Sequence, residues 1–398
     1  MSWFGRRTRG SATPPADAIP LVEPGASTTR YPRGALILAG LGGATLTALG
    51  LWALQSFFAP FFLALVLTIC VHPLRARLER EGVTRSLATG SVIAAVFLLL
   101  AAFVTALVVA FAQFANLLPQ FAPQIREIGQ AVSDALTRVG FDQDQAQSIV
   151  TSLDPGRIMS FLSGLLGSVT TIAVGLIVVL TTLILMAVDA SFLTTVLREL
   201  APARPGMVAA LETFASGVRK YMIATTGLGV AQGALNWVAL LVLQVPGAFL
   251  WGLLAFLCSF IPNIGYFIAI VPPLVFGYFV GGWPTVVAVV VVYGVVNAVV
   301  QSLIQPRIVG NAVALSQTIT FVSVLFWATV IGPIGAILAI PLTLLVRAIL
   351  VDSDPETRWW RPVLGDLAET KIHMKNDDEA AKSKRRSTTD AHDERRQG

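Results

Sequence analysis

Tyr293, Asn297, Gln301 and Gln305 follow one another at intervals of four in a stretch otherwise dominated by Val, Ala, Leu and Ile. On a helix this interval brings each side chain back to nearly the same, slowly drifting face, so the four form one polar stripe. Gln232 and Asn236 repeat the interval further upstream. A carboxamide both donates and accepts hydrogen bonds and carries no charge, which suits a neutral, hydroxyl-rich solute. The same amides would equally serve as bonds between neighbouring helices, worth about 0.6 to 2 kcal/mol each.

A second set of candidates lies at two interruptions with a shared pattern. Ile264-Gly265, three residues and then Ala269-Ile270 has its counterpart in Ile334-Gly335, three residues and then Ala339-Ile340, with Pro262 and Pro272 flanking the first and Pro333 and Pro341 the second. Glycine and proline interrupt helices, and the amides and carbonyls freed at a break offer polar contacts without a formal charge. Paired interruptions in a polytopic chain point to a transport site, although proline and glycine also kink helices that are merely packed. The candidate substrate-binding positions are therefore Asn263, Gly265, Gly332 and Gly335 at the breaks, and Gln232, Asn236, Asn297, Gln301 and Gln305 on the amide-bearing faces. Arg307 is a candidate charge contact, being the one Asp, Glu, Lys, Arg or His between Tyr221 and Val346. Its place directly after an apolar run also suits an ordinary headgroup-seeking arginine.

Enzyme chemistry has little to stand on. The sequence has no His-Glu-x-x-His, no Gly-rich phosphate loop with its Lys, and no carboxylate pair within the apolar region, so neither a catalytic residue, a metal nor a cofactor is expected. His72 stands apart from His373 and His392, which lie in the C-terminal tail. Cys70 and Cys258 sit in apolar runs, where thiols pack as small hydrophobes. Asp189 closes an apolar run and reads as an interfacial or capping residue.

The elements that must position these groups follow from composition. With 55% hydrophobic and 13% charged residues, against about 25% charged in soluble domains, the chain reads as an all-α polytopic membrane protein. We expect about six full transmembrane helices plus two broken or re-entrant helical hairpins, with an extracytoplasmic amphipathic helical cap. Residues 1–34 read as a disordered cytoplasmic tail, 35–112 as transmembrane helices 1–3, 113–160 as the extracytoplasmic segment and 161–189 as transmembrane helix 4. Residues 190–220 read as a cytoplasmic linker, 221–350 as the substrate region with hairpins at 248–281 and 311–350, and 351–398 as a charged cytoplasmic tail. The arms of the first hairpin are short: Phe249 to Ile261 makes about 20 Å of helix, against a hydrocarbon core of about 30 Å. Arg75, Arg77, Arg80 and Arg85 crowd one loop, which belongs inside by the positive-inside rule and places both termini there in an inner membrane. The net charge of +5 is concentrated in tails and loops beside apolar runs. Its expected partner is membrane lipid, not nucleic acid.

The ordered set Ile261-Pro262-Asn263-Ile264-Gly265, Pro272, Gln305-Pro306-Arg307-Ile308-Val309-Gly310, Gly332, Gly335 and Ala339-Ile340-Pro341 resembles the autoinducer-2 exporter family of bacterial membrane proteins. Pro60, Ala64, Pro73-Leu74 and Leu78-Glu79 are similar to that family's opening, and the likeness is densest over 245–346. The resemblance implies a secondary transporter or exporter of a small-molecule solute such as an autoinducer-2-like signal, with two hairpins in a moving domain, an elevator-like mechanism and a homo-oligomeric, pentameric assembly. One departure is visible: Ser316-Gln317 stands after Leu315 where a proline is expected to open the second hairpin. Members of the family described as sodium/proton antiporters supply an alternative, although the hairpin region here has no embedded carboxylate. A non-transporting membrane scaffold is a second alternative.

Overall fold

Proline and glycine placement explains most of the helix boundaries in the computed structural model, which describes residues 33–140, 142, 156, 160, 164, 169–304 and 315–354. Among the described residues every regular element is helical. The chain divides into two units, Met1–Ala48 and Leu49–Gly398. In the first, α1 (Arg33–Ala53) begins, and Thr45 and Thr47 turn their hydroxyls back onto the carbonyls of Leu41 and Gly43 at 2.9 and 2.8 Å.

In the second unit, α2 (Gln55–Arg80) carries Pro60 and Pro73 internally and is followed by α3 (Arg85–Leu117). A single 3₁₀ turn, Leu118–Phe121, then redirects the chain into α4 (Ala122–Val139). In α4, Ile125 faces the core and Val132 and Leu136 are half-buried, while Arg126, Glu127, Asp134, Arg138 and Val139 are exposed.

The helix α5 (Val169–Leu200) packs along α2 through Ala64, Val179 and Leu183. Asp189 is not a terminus: it lies exposed inside α5, which continues for eleven residues beyond it. Of residues 190–220, expected as a linker, 190–200 continue α5 and 205–220 are the first part of α6 (Pro205–Val242). Pro205 starts this helix at a position that tolerates a missing N–H. No proline follows inside it, so charged and uncharged parts form one rod of about 57 Å, longer than the hydrocarbon core.

The first helix pair consists of α7 (Ala248–Cys258) and α8 (Gly265–Ala298), the latter broken at Gly282 (φ 61°, ψ −153°) into 265–281 and 283–298. Contact between α6 and α7 is backbone on backbone. A β-carbon on Gly233 would sit 2.7 Å from Gly252 O, and one on Gly252 would meet Gly233 O at 2.9 Å. Small residues give helices this close approach where packing, not water exclusion, drives association. An aromatic group then seals α3 against the pair: Phe114 meets Trp251 and Phe276 edge to face, each at 4.9 Å.

The second pair consists of α9 (Gln317–Ile331), the short α10 (Pro333–Ile337) and α11 (Ala339–Arg347). Among the described residues five stretches, in α2, α3, α5, α6 and across the two segments of α8, are long and apolar enough to cross a membrane. Their exposed Leu, Val, Ile and Phe side chains fit contact with lipid tails, so the chain is an all-α polytopic membrane protein.

Candidate functional site

At the first break the chain uses up its free carbonyls before turning. The Ser259 amide bonds Ala255 O at 3.1 Å, its Oγ donates to Phe256 O at 2.6 Å, and the Ile261 amide reaches Cys258 O at 3.0 Å. Asn263, after Pro262, adopts φ 65°, a left-handed conformation that Asn tolerates better than most residues. Its side chain is exposed. The next helix opens at buried Gly265, whose backbone lies directly against Cys258: a β-carbon there would collide with that residue's carbonyl oxygen. Glycine is required by close approach.

The second break repeats the device. A β-carbon on buried Gly335 would collide with the carbonyl oxygen of Trp327 and lie 2.7 Å from Ile331 Cβ. Gly332 turns the chain at φ 83°, ψ −159°, a region essentially reserved for glycine. Pro333 then starts α10. The departure at Ser316 also finds its reason: Ser316 is extended and its hydroxyl accepts the Ile319 amide at 3.2 Å, an N-cap that starts α9 without proline. Trp327 Nε1 donates to Thr343 Oγ1 at 3.0 Å, tying α9 to α11.

The amide-bearing faces fare unequally. Asn236 is fully buried, with no partner among the described residues for either atom of its amide head. Tyr293, 1% exposed, and half-buried Asn297 are alike: neither the Tyr293 hydroxyl nor Asn297 Oδ1 has a partner among the described residues. An orphaned buried group of this kind costs about 1–3 kcal/mol; with Thr225 Oγ1, also buried and without a partner among the described residues, the uncharged orphans on α6 and α8 are candidate contacts for a polar solute. Tyr293 shares an apolar core with Leu240, Cys258 and Ile270. Leu240 is one turn from Asn236, and Cys258 ends α7 at the first break, so the core that holds Tyr293 reaches the end of α7.

Gln232, one turn before Asn236, is also buried. Gln301 is exposed. Beyond Ala298 the helix widens into a π-helical turn, Val299–Ile304, in which residues four apart no longer stack as in an α-helix, and the stripe loses its register. Gln305 and Arg307 lie outside the described residues.

The second break stands against a different neighbour. A β-carbon on Gly332 would lie 3.8 Å from Gln55 Oε1. Gln55 was not a sequence candidate; its one signal is an amide at the start of an apolar helix. The Trp327–Thr343 bond was likewise not foreseen, because it joins residues on two helices separated by the break.

Comparison with known sequences decides the family. The profile of the AI-2E family transporters matches residues 42–353, a span that includes both breaks and every buried orphan. The chain belongs to the AI-2E transporter family. It is 30% identical over 319 residues to the AI-2 transport protein TqsA of Escherichia coli (strain K12), covering 80% of this chain and 92% of that relative. It is 26% identical over 310 residues to the putative transport protein YhhT of the same organism, covering 78% and 88%. A putative transport protein of Haemophilus influenzae is 25% identical over 339 residues, covering 84% of this chain and 97% of its own length. As an AI-2E family member with five long apolar stretches among the described residues, the chain is a multi-pass membrane transporter.

Proposed function

We propose that the chain is a secondary transporter that exports a small, polar, largely uncharged solute, an autoinducer-2-like signal or related metabolite, across the inner membrane. The observation that carries this reading is the set of orphaned uncharged groups on Asn236, Tyr293 and Asn297, carried by α6 and α8, the helices before and after α7 and the first break. A hydroxyl-rich solute would satisfy these donors and acceptors, and a charged one would find no buried counter-charge among them. The name of TqsA points the same way.

In this reading the two helix pairs are re-entrant hairpins. The arms of the first are the 11-residue α7 and residues 265–281, and α7 alone, at about 16 Å, is too short to cross. The pairs move with the solute in an elevator-like step, both termini face the cytoplasm, and copies assemble as a homo-oligomer with the family's pentameric pattern. Binding must be comparable in the inward and outward states, since a carrier that strongly favours one state would stall.

The test uses purified full-length chain in sealed vesicles, with efflux of labelled autoinducer-2-like solute as readout. Wild-type protein is expected to speed efflux, and correctly inserted Asn236→Leu and Asn297→Leu proteins to lose most of that gain. Wild-type efflux no faster than from empty vesicles, together with collapse of a pH gradient on adding sodium, would replace this reading with the cation/proton antiporter. Unchanged efflux in both variants would move the site elsewhere.

A further inference from the structure

A groove of about 500 Å³ runs along one face of α6, lined by Arg219, Lys220, Ile223, Ala224, Gly227 and Leu228. Its lining is ordered along the helix axis. The two cations come first, and the apolar residues follow over the next two turns, about 13 Å of helix. Ala224 and Leu228 are buried and form the floor, Ile223 is 57% exposed and forms a wall. Gly227 leaves the groove open, because a β-carbon there would meet no heavy atom within 4 Å. Beyond Lys220 the sequence has no further Asp, Glu, Lys, Arg or His until Arg307, so the cations mark where α6 passes from polar surroundings into hydrocarbon.

The charge of the groove is unbalanced. Nearby Arg75 is matched by Glu79 at 3.3 Å, whereas among the described residues neither Arg219 nor Lys220 makes an ion pair. Arg219 Nε is committed to the Ile69 carbonyl at 3.1 Å, which fixes the guanidinium and leaves its terminal NH₂ groups for an anion. No carboxylate lines the groove.

We propose that this groove binds an anionic phospholipid, with its phosphate at Arg219 and Lys220 and an acyl chain laid over Ala224, Gly227 and Leu228. The apolar floor is what assigns a lipid in preference to free phosphate: an inorganic anion needs the two cations and nothing of the two turns beyond them. The volume lies in the range of small-molecule sites, and the sequence of charge followed by hydrocarbon matches an amphiphile standing in its leaflet. This site is separate from the orphaned groups of Asn236, Tyr293 and Asn297, and its occupancy does not depend on what the transporter carries.

The test is lipid retention by the purified, delipidated full-length chain, read by native mass spectrometry after exchange into micelles containing phosphatidylglycerol or phosphatidylcholine. Each basic residue near an anionic headgroup contributes about 1 kcal/mol, equivalent to about fivefold in binding. Phosphatidylglycerol is therefore expected to be retained over phosphatidylcholine by at least that factor, and Lys220→Gln to lower its retention about fivefold. Gly227→Leu, which extends a side chain into the groove from a position where a β-carbon meets no heavy atom within 4 Å, is expected to reduce retention while the chain stays monodisperse. Equal retention of the two lipids, full competition by inorganic phosphate, or unchanged retention in Gly227→Leu would each overturn the proposal. Gly227→Leu altering the oligomer mass by light scattering with retention unchanged would assign the groove to a second copy of the chain and overturn it as well.

Discussion

Arg219 on α6 donates through Nε to the carbonyl oxygen of Ile69 on α2, at 3.1 Å. In an uninterrupted helix that carbonyl would accept from the amide four residues on, but that residue is Pro73 and has no N–H. The proline thus creates an acceptor inside a helix bundle, and an arginine from a neighbouring helix supplies its donor. Arg75, also on α2, donates through Nη1 to Ala187 O of α5 at 3.3 Å. These two arginines tether α2 to α5 and α6 at the end where its basic residues collect.

From this follows a coupled pair of variants. Arg219→Met leaves the Ile69 carbonyl unpaired and is expected to lower stability by about 1–3 kcal/mol. In a Pro73→Ala background the residue-73 amide returns to pair with Ile69, so the same arginine substitution should cost less. A double-mutant cycle on thermal unfolding in detergent measures the difference, expected at about 1 kcal/mol or more. Strict additivity would show that Arg219 does not serve that carbonyl.

The glycines of the two breaks give a second prediction. Gly265→Ala and Gly335→Ala place a methyl group against the carbonyl oxygens of Cys258 and Trp327. Overpacking of this kind costs about 1–3 kcal/mol or forces the backbone apart. Both variants should show lowered melting temperature and poor solute efflux, whereas Gly227→Ala, which opens onto empty space, should melt like wild type. Fluorescence-detected size-exclusion after a temperature series separates these outcomes.

Much of this was legible in advance because lipid imposes hard constraints. Runs free of ionisable residues located the apolar helices, and the repeated Ile-Gly and Ala-Ile pattern located both breaks at Gly265 and Gly335. Helix continuity was less legible. Charges at Arg219 and Lys220 suggested a boundary, yet nothing in Pro205–Val242 interrupts the backbone, and charge alone does not end a helix. The burial of the candidate site residues was legible in part. Asn236 and Asn297 stood out as amides in apolar runs and are the residues left with orphaned atoms. Gln301 stood out in the same way but is exposed, because the π-helical turn from Val299 displaces it, and a helix widening by one residue leaves no mark in residue spacing. The Ile69–Arg219 bond spans 150 residues, and no local pattern carries such a pairing.

Asn263 separates turn chemistry from solute contact. Its φ of 65° costs a β-branched or bulky residue more than Asn, and glycine nothing. Asn263→Gly should therefore keep the fold, while Asn263→Val should lose about 1–2 kcal/mol of stability. If the amide also contacts solute, Asn263→Gly will raise the solute concentration needed for half-maximal efflux at unchanged melting temperature. Wild-type efflux kinetics in that variant would reduce Asn263 to a turn residue.

The orphaned groups make the sharpest prediction, because stability and transport should move in opposite directions. Tyr293→Phe deletes a buried hydroxyl that has no partner among the described residues and keeps the ring in its core with Cys258 and Val289. Removing an unsatisfied polar group relieves a penalty of about 1–3 kcal/mol, so the variant should melt at the same temperature as wild type or above it. Asn236→Leu should behave likewise, since it replaces an unpaired amide of similar size with a side chain suited to its surroundings. Both should lose efflux of a polar solute, through weaker binding at equal insertion into vesicles. A Tyr293→Phe protein that melts well below wild type would mean that the hydroxyl has a structural partner and is no solute contact. One that melts higher but carries solute at the wild-type rate would show that the polarity at position 293 is not used in transport.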